Sequence, residues 1–210
     1  MSDYYIEPIS VPDLPVFVVA DDILVEHPVV VPGYKDGPVR PPSALQEAHI
    51  VIPIAVVQKL AMMDPGRTTY YGSTPRSILE AIRELNLGVQ RNINDHYRLD
   101  CASAFVGLDG SKRALSILPV HKNFVKSLLF APPEDDMDGQ IILAALAATF
   151  IKQGWAIDGS YSNNYPILPF DDSNGIVTLL TDNDCLGIRA AAVGVTTKRW
   201  CDLVDEEDYF

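Results

Sequence analysis

The chain has 210 residues, of which 48% are hydrophobic and 21% charged, so it can build a sizeable core. The formal net charge of −12 at pH 7 argues against a protein that binds nucleic acid through electrostatic attraction alone. No apolar run reaches the roughly 18 residues of a membrane span, and the acidic N-terminus lacks the basic region of a secretory signal. We therefore expect an intracellular, cytoplasmic protein that does not associate with membranes.

The three cysteines support the same expectation. Cys101, Cys185 and Cys201 are odd in number, widely spaced and not arranged in C-x-x-C pairs. This usage is typical of reduced thiols and not of a disulfide framework or a zinc site.

Strands and helices alternate along the first half of the chain. Residues 1–14 are rich in proline and predict an irregular surface arm, and residues 29–48 predict an excursion with at most a short helix. The elements predicted around them are a strand at 16–20, a short helix or turn at 22–27, a strand at 50–52 and helices at about 55–63 and 76–86.

The second half begins with the segments CASAFVGL and RALSILPV, which flank an Asp-Gly turn and predict a hairpin. The strongest helix follows PPEDDMD and has the apolar body IILAALAATF. After it come the apolar strand IVTLLT, a helix at 186–193 and a short strand in VTTKRW. The pattern predicts an α/β fold with a mainly parallel central sheet, helices on both faces and a hairpin insertion.

Acidic residues come at three places that this fold brings to the carboxyl ends of the strands, where α/β proteins form their sites. Asp21 and Asp22 follow the first buried strand, Asp138 opens the apolar helix, and Asp182 and Asp184 follow the late strand. Carboxylates gathered at one point repel one another unless a divalent cation lies between them, and hard oxygen ligands suit Mg²⁺ or Mn²⁺. The alternative is that these acids only cap helices and turns.

The order of five segments resembles the PIN domain, in particular the version found at the N-terminus of PhoH-like proteins. The segments are FVVADDILVEHP, HIVIPIAVVQKL, GSTPRSILEAIREL, DGQIILAALA and LLTDNDCLGIRAAAVGV. The resemblance implies a three-layer PIN-like domain over residues 15–201, with an insertion at about 88–130, between the arm at 1–14 and an acidic tail at 202–210. PIN domains are typically metal-dependent ribonucleases that use acids from four places.

The chain departs from the family pattern at three of those four places. Without gaps, Ala20 stands where the family has its first Asp, and Asn183 stands at its late Asp. The family's acidic pair on the second helix becomes Gln58-Lys59, whereas Asp138 keeps its acid. A one-residue shift inside a strand would turn an acid to the wrong face, but past the strand end this restriction relaxes.

The first functional hypothesis is therefore a Mg²⁺- or Mn²⁺-dependent endoribonuclease with a displaced acid set. In such an enzyme the metal lowers the pKa of the water that attacks the phosphodiester. The catalytic set implied by the resemblance is Asp22, Asp138, Asp182 and Asp184. The metal ligands would be Asp21, Asp22, Asp138 and Asp184.

Two further hypotheses remain open. One is a PIN relative that has lost its metal and binds RNA or a protein, and the other is a structural or regulatory module whose acidic tail docks on a basic partner. A homo-oligomer is also compatible with the sequence. Lys59 would either replace the charge of one cation or bind a phosphate directly.

Single-stranded RNA is the nucleic-acid partner that the nuclease hypothesis predicts. The basic residues predicted to contact it are Lys59, Arg76, Lys112, Arg113, Lys122 and Lys126. The alternative for Arg76 is a solvated helix face, and for the last four residues a solvated hairpin.

Overall fold

A computed structural model describes residues 5–7, 14–31, 41–68, 72–86, 103–106, 112–118, 132–152 and 177–204 of the chain. The strands in this part are β1 (Tyr5–Glu7), β2 (Val16–Val19), β3 (Glu47–Pro53), β4 (Ser103–Val106), β5 (Lys112–Leu118), β6 (Val177–Leu180) and β7 (Thr196–Lys198). The helices are α1 (Asp21–Glu26), α2 (Ser43–Gln46), α3 (Ile54–Met62), α4 (Pro75–Asn86), α5 (Met137–Lys152) and α6 (Asp184–Ala192). Short 3-10 helices cover Pro28–Val30 and Trp200–Asp202.

The strands form one mixed sheet in the order β1-β4-β5-β3-β2-β6-β7. The five strands from β5 to β7 are parallel, and β4 and β1 extend the sheet in antiparallel pairing. Helices flank the sheet, so the predicted α/β fold with a mainly parallel central sheet is confirmed.

The direction of the crossovers locates the candidate site. The chain moves one way across the sheet from β2 to β3 to β5 and the opposite way from β5 to β6 to β7. Right-handed crossovers therefore place α1 to α4 against one face and α5 and α6 against the other. The neighbours β2 and β6 send their helices to opposite faces, which opens a crevice at their carboxyl ends.

The core elements follow from simple sequence features. All four residues of β2 are buried, as are residues 48–53 of β3, as expected for parallel strands covered on both faces. Pro53 ends β3, and α3 begins at the next residue. Residues 141–148 of α5 are all buried. No helix in the described part of the chain is long and apolar enough to cross a membrane.

The hairpin region differs from a simple insertion. Strands β4 and β5 pair antiparallel, as predicted, with Ser103 opposite Leu115 and Val106 opposite Lys112. However, β5 also pairs in parallel with the whole length of β3, and its residues Leu115 and Leu118 are buried. The arm predicted at 1–14 contains β1, which pairs with β4. The hairpin therefore belongs to the main sheet, and the prediction that residues 1–14 are irregular is wrong for Tyr5–Glu7.

Candidate functional site

The first strand delivers Asp21 to the carboxyl edge of the sheet. The backbone of Ala20 donates a hydrogen bond to Leu180 O over 3.1 Å, which continues the pairing of β2 with β6 one residue past the strand. Asp21 is then the first residue of α1, and its side chain is only 13% exposed. Ala20 is fully buried and carries no polar atom into the site.

Lys59 on α3 joins Asp21 to Asp138. Its Nζ lies 2.7 Å from Asp21 Oδ1 and 2.8 Å from Asp138 Oδ1. Asp138 lies in the first turn of α5, so the three residues connect α1, α3 and α5. We refer to these three residues as the Asp21–Lys59–Asp138 triad.

The electrostatics keep Lys59 charged. Burial alone would lower the pKa of Lys59, but its hydrogen bonds to Asp138 and Asp21 and their negative charges raise the pKa above its usual value. Without the ammonium, the two partly buried carboxylates that approach it would repel each other. Lys59 removes this repulsion, as a bound cation would.

The triad does not fit the predicted Mg²⁺ or Mn²⁺ cofactor. A divalent cation binds carboxylate oxygens directly, and here the Lys59 ammonium already lies between the two carboxylates and would repel the ion. Within the described residues, no group of three or more His, Cys, Asp or Glu side chains is arranged to hold a metal ion.

Asp22 holds the turn that follows β6. Its Oδ2 accepts hydrogen bonds from Thr181 Oγ1 at 3.0 Å, Asp182 N at 2.6 Å and Asn183 N at 2.9 Å. Burial raises the pKa of Asp22, although these hydrogen bonds oppose the shift. Its carboxylate therefore connects α1 to the β6–α6 turn, and the donors already occupy Oδ2.

Asp182 is bound on the far side of the same turn. Its Oδ1 accepts a hydrogen bond from the backbone N–H of Trp200 at 2.9 Å, and its Oδ2 lies 3.9 Å from His27 Nε2. The rings of His27 and Trp200 stack with centroids 4.0 Å apart and planes 3° from parallel. Burial lowers the pKa of His27, against the opposing charges of Asp182 and Glu26.

The remaining acids of the predicted set bind other partners. Asp184 forms an ion pair with Arg199, and Asn183 caps α6 by accepting hydrogen bonds from the backbone N–H groups of Cys185 and Leu186. The structure thus brings Asp21 and Asp138 together through Lys59, whereas each of the other predicted acids contacts a different group.

The position of Asp138 is fixed by a neighbour that the sequence did not single out. Asp136 accepts a hydrogen bond from Gly139 N at 2.9 Å and so caps α5, and it also forms an ion pair with Arg189 of α6. The Arg189 guanidinium lowers the pKa of Asp136. An aspartate just before a helix indicates a capping residue, so the cap of α5 could be predicted from the sequence. The ion pair with Arg189 could not, because Arg189 is far away in the sequence.

Of the described residues predicted to contact RNA, Lys59 lies at this edge, paired with Asp21 and Asp138, whereas Arg76, Lys112 and Arg113 lie elsewhere. Arg76 is exposed and pairs with Glu80 one turn along α4, at 3.0 Å. Lys112 and Arg113 belong to β5. Lys122 and Lys126 lie outside the described residues, as do residues 205–210 of the acidic tail.

Thr181, His27 and Trp200 contribute to the site but were not predicted to do so. Thr181 directly precedes Asp182 at the end of β6, and a hydroxyl at a strand end can indicate a residue that binds a neighbouring carboxylate. The stacking of His27 on Trp200 joins positions distant in sequence, for which a single chain gives no signal.

Comparison of the chain with protein-family models finds no match, and comparison with curated proteins finds none either. The resemblance to PIN domains therefore stays a prediction.

Proposed function

We propose that this chain is a PIN-like domain that has lost metal-dependent ribonuclease activity and acts as a module that binds another protein. One observation carries the proposal, which is that Lys59 Nζ lies between the carboxylates of Asp21 and Asp138. Lys59 occupies a position at which the resemblance implies an acid. The internal ammonium supplies the positive charge that a metal ion would bring, but it has no open coordination position for water or phosphate.

The charge of the same edge favours a protein over RNA as partner. Seven carboxylates and four cations lie along it, namely Asp21, Asp22, Asp136, Asp138, Asp182, Asp184 and Asp202 against Lys59, Arg189, Lys198 and Arg199. Lys59 pairs with Asp21 and Asp138, Arg189 with Asp136, and Arg199 with Asp184. A polyanion meets net repulsion here, whereas a basic protein surface would be attracted.

An RNA cleavage assay tests the loss of activity. Labelled single-stranded RNA is incubated with wild type and with Asp138→Asn, each with Mg²⁺ or Mn²⁺. We expect no turnover by either protein. Metal-dependent cleavage by wild type that disappears in Asp138→Asn would overturn the proposal and support the nuclease with a displaced acid set.

A binding assay tests the class of partner. We expect labelled single-stranded RNA to show no saturable change in fluorescence anisotropy with the protein at physiological salt. Saturable binding of the RNA would favour an RNA-binding module instead.

A further inference from the structure

We infer that the chain forms a two-fold symmetric homodimer through the groove between α6 and β7, with Ile188 of each copy packed against the groove of the other. This self-association goes beyond the proposed function, because the Asp21–Lys59–Asp138 triad does not line the groove. Either property can therefore hold without the other.

The exposed face of α6 is apolar. Ile188 is 71% exposed, and Ala191, almost one turn further along the same face, is exposed as well. The opposite face buries Leu186 and Ala190 and so fixes the helix to the core. Single exposed hydrophobic side chains are common on protein surfaces, so the surroundings of Ile188 decide its role.

A groove of about 290 Å³ opens beside Ile188. Ile188 and Ala191 line it on the α6 side, and Thr197 and Lys198 line it on the β7 side. A two-fold symmetric interface is built from one surface patch that is complementary to itself. A protruding apolar side chain next to a groove meets this requirement, since each copy offers its Ile188 to the groove of the other.

Strand β7 lies at one end of the sheet in the described part of the chain. Lys198 O accepts a hydrogen bond from Thr181 N at 3.0 Å, so the backbone groups of Lys198 face the interior of the sheet. Because successive backbone groups of a strand point to opposite sides, those of Thr197 point away from β6. An antiparallel pair between Thr197 and the same residue of a second copy would exchange two backbone hydrogen bonds.

The backbone N–H groups on either side of Thr197 along this edge are already bound. Val195 N donates to Ala190 O at 3.0 Å, and Arg199 N donates to Asp202 Oδ2 at 2.8 Å. A second strand can therefore pair with this edge only over a short length centred on Thr197. Most of the contact between the two copies must come from the side chains of α6.

The charges around the groove favour a second copy as its occupant. Asp184 and Asp202 line it together with Lys198 and Arg199, so acids and bases balance there. The whole chain has a formal net charge of −12, so two copies repel one another on average. A balanced patch avoids this repulsion and offers little to a strongly basic or acidic partner. A second copy brings the same mixed charges, which the two-fold axis sets in the opposite order.

Sedimentation equilibrium of the full chain tests the homodimer. We expect wild type to have the mass of two chains at micromolar concentration. Ile188→Asp, which brings two carboxylates to the interface, should raise the dimer dissociation constant at least about tenfold. The matched control is Met62→Asp, because Met62 is also a large exposed hydrophobic residue, at 75%, but lies on α3. It should leave the dissociation constant unchanged.

Ile188→Ala keeps the test decisive if Ile188→Asp loses the wild-type circular dichroism spectrum. Alanine favours a helix at an exposed position and removes only the protruding part of the side chain. We expect it to raise the dissociation constant several-fold. A dissociation constant equal to that of wild type would refute the assignment of the interface to this groove. A wild-type chain that stays monomeric throughout the micromolar range would refute the dimer, as would a mass above two chains.

Hydrogen exchange gives a second readout at the backbone of β7. The Thr197 N–H should exchange slowly in the wild-type dimer and faster at concentrations at which the dimer dissociates. Exchange at Thr197 that is equally fast in dimer and monomer would contradict the pairing of the two β7 strands and with it the proposed two-fold arrangement.

Discussion

Lys59 on α3 donates a hydrogen bond of 2.8 Å to Asp138 on α5, although the two residues are 79 positions apart in the sequence. Helices α3 and α5 follow different strands, so the contact links separate parts of the chain at the carboxyl edge of the sheet. Asp21 completes the link from α1. The same ammonium that stands between the two carboxylates therefore also links three helices of the fold.

Replacing Lys59 with methionine should lower the free energy of unfolding by about 2 kcal/mol, since it leaves two partly buried carboxylates without a counter-charge. Lys59→Arg keeps the positive charge and should lower the free energy of unfolding by less than Lys59→Met does. Urea denaturation of the three proteins measures the difference. Equal stability of Lys59→Met and wild type would show that the triad contributes nothing.

Asp22→Ala should lower the free energy of unfolding by about 3 kcal/mol. Thr181 and the backbone N–H groups of Asp182 and Asn183 lose their shared acceptor in this variant. Asp184→Ala is the matched control, because it removes an exposed acid that pairs with Arg199. That change should cost less than about 1 kcal/mol. Similar losses for both variants in thermal or urea unfolding would contradict the assigned role of Asp22.

Two glycines in helices should respond to alanine in opposite directions. At Gly139 a Cβ would collide with Pro132 Cβ at 2.3 Å, so Gly139→Ala should lower the melting temperature. At Gly187 a Cβ would meet nothing within 4 Å, so Gly187→Ala should stabilise α6 by about 0.5–1 kcal/mol. Differential scanning calorimetry of both variants decides, and a stabilised Gly139→Ala would show that the first turn of α5 is not tightly packed.

The pH dependence of stability should carry a contribution from His27. Burial lowers the pKa of His27 in the folded protein below its usual value of 6.5, so the unfolded chain takes up the proton first. The free energy of unfolding should therefore fall as the pH drops through 6.5 toward the folded-state pKa. His27→Phe keeps a ring against Trp200 but cannot titrate, and urea denaturation between pH 5 and 8 should show a shallower slope for it. If the free energy of unfolding varied with pH equally in His27→Phe and wild type, His27 would make no contribution to the pH dependence.

The buried elements were predictable from sequence, because strands covered on both faces need continuous apolar runs. Residues 16–20 and 176–181 showed such runs and contain β2 and β6. The apolar body of α5 was visible for the same reason. β1 was missed because three residues paired at a sheet edge need no apolar run.

The candidate site was only partly predictable. Asp21 and Asp138 were recognised as acids that would meet, since the carboxyl ends of parallel strands share one edge. The sequence predicts that Lys59 either replaces the charge of one cation or binds a phosphate, and the structure places its ammonium beside Asp21 and Asp138. The roles of Asp22 and Asp184 could not be read from sequence, because their partners Thr181 and Arg199 are set by turn geometry and long-range packing.

The most direct test of the central claim is a crystal structure of the wild-type protein grown with millimolar Mn²⁺ and measured for anomalous scattering. We expect Lys59 Nζ within hydrogen-bond distance of Asp21 and Asp138, with no anomalous peak between the two carboxylates. An anomalous peak coordinated by Asp138, with the Lys59 side chain turned away from it, would contradict the claim that the lysine takes the place of the metal.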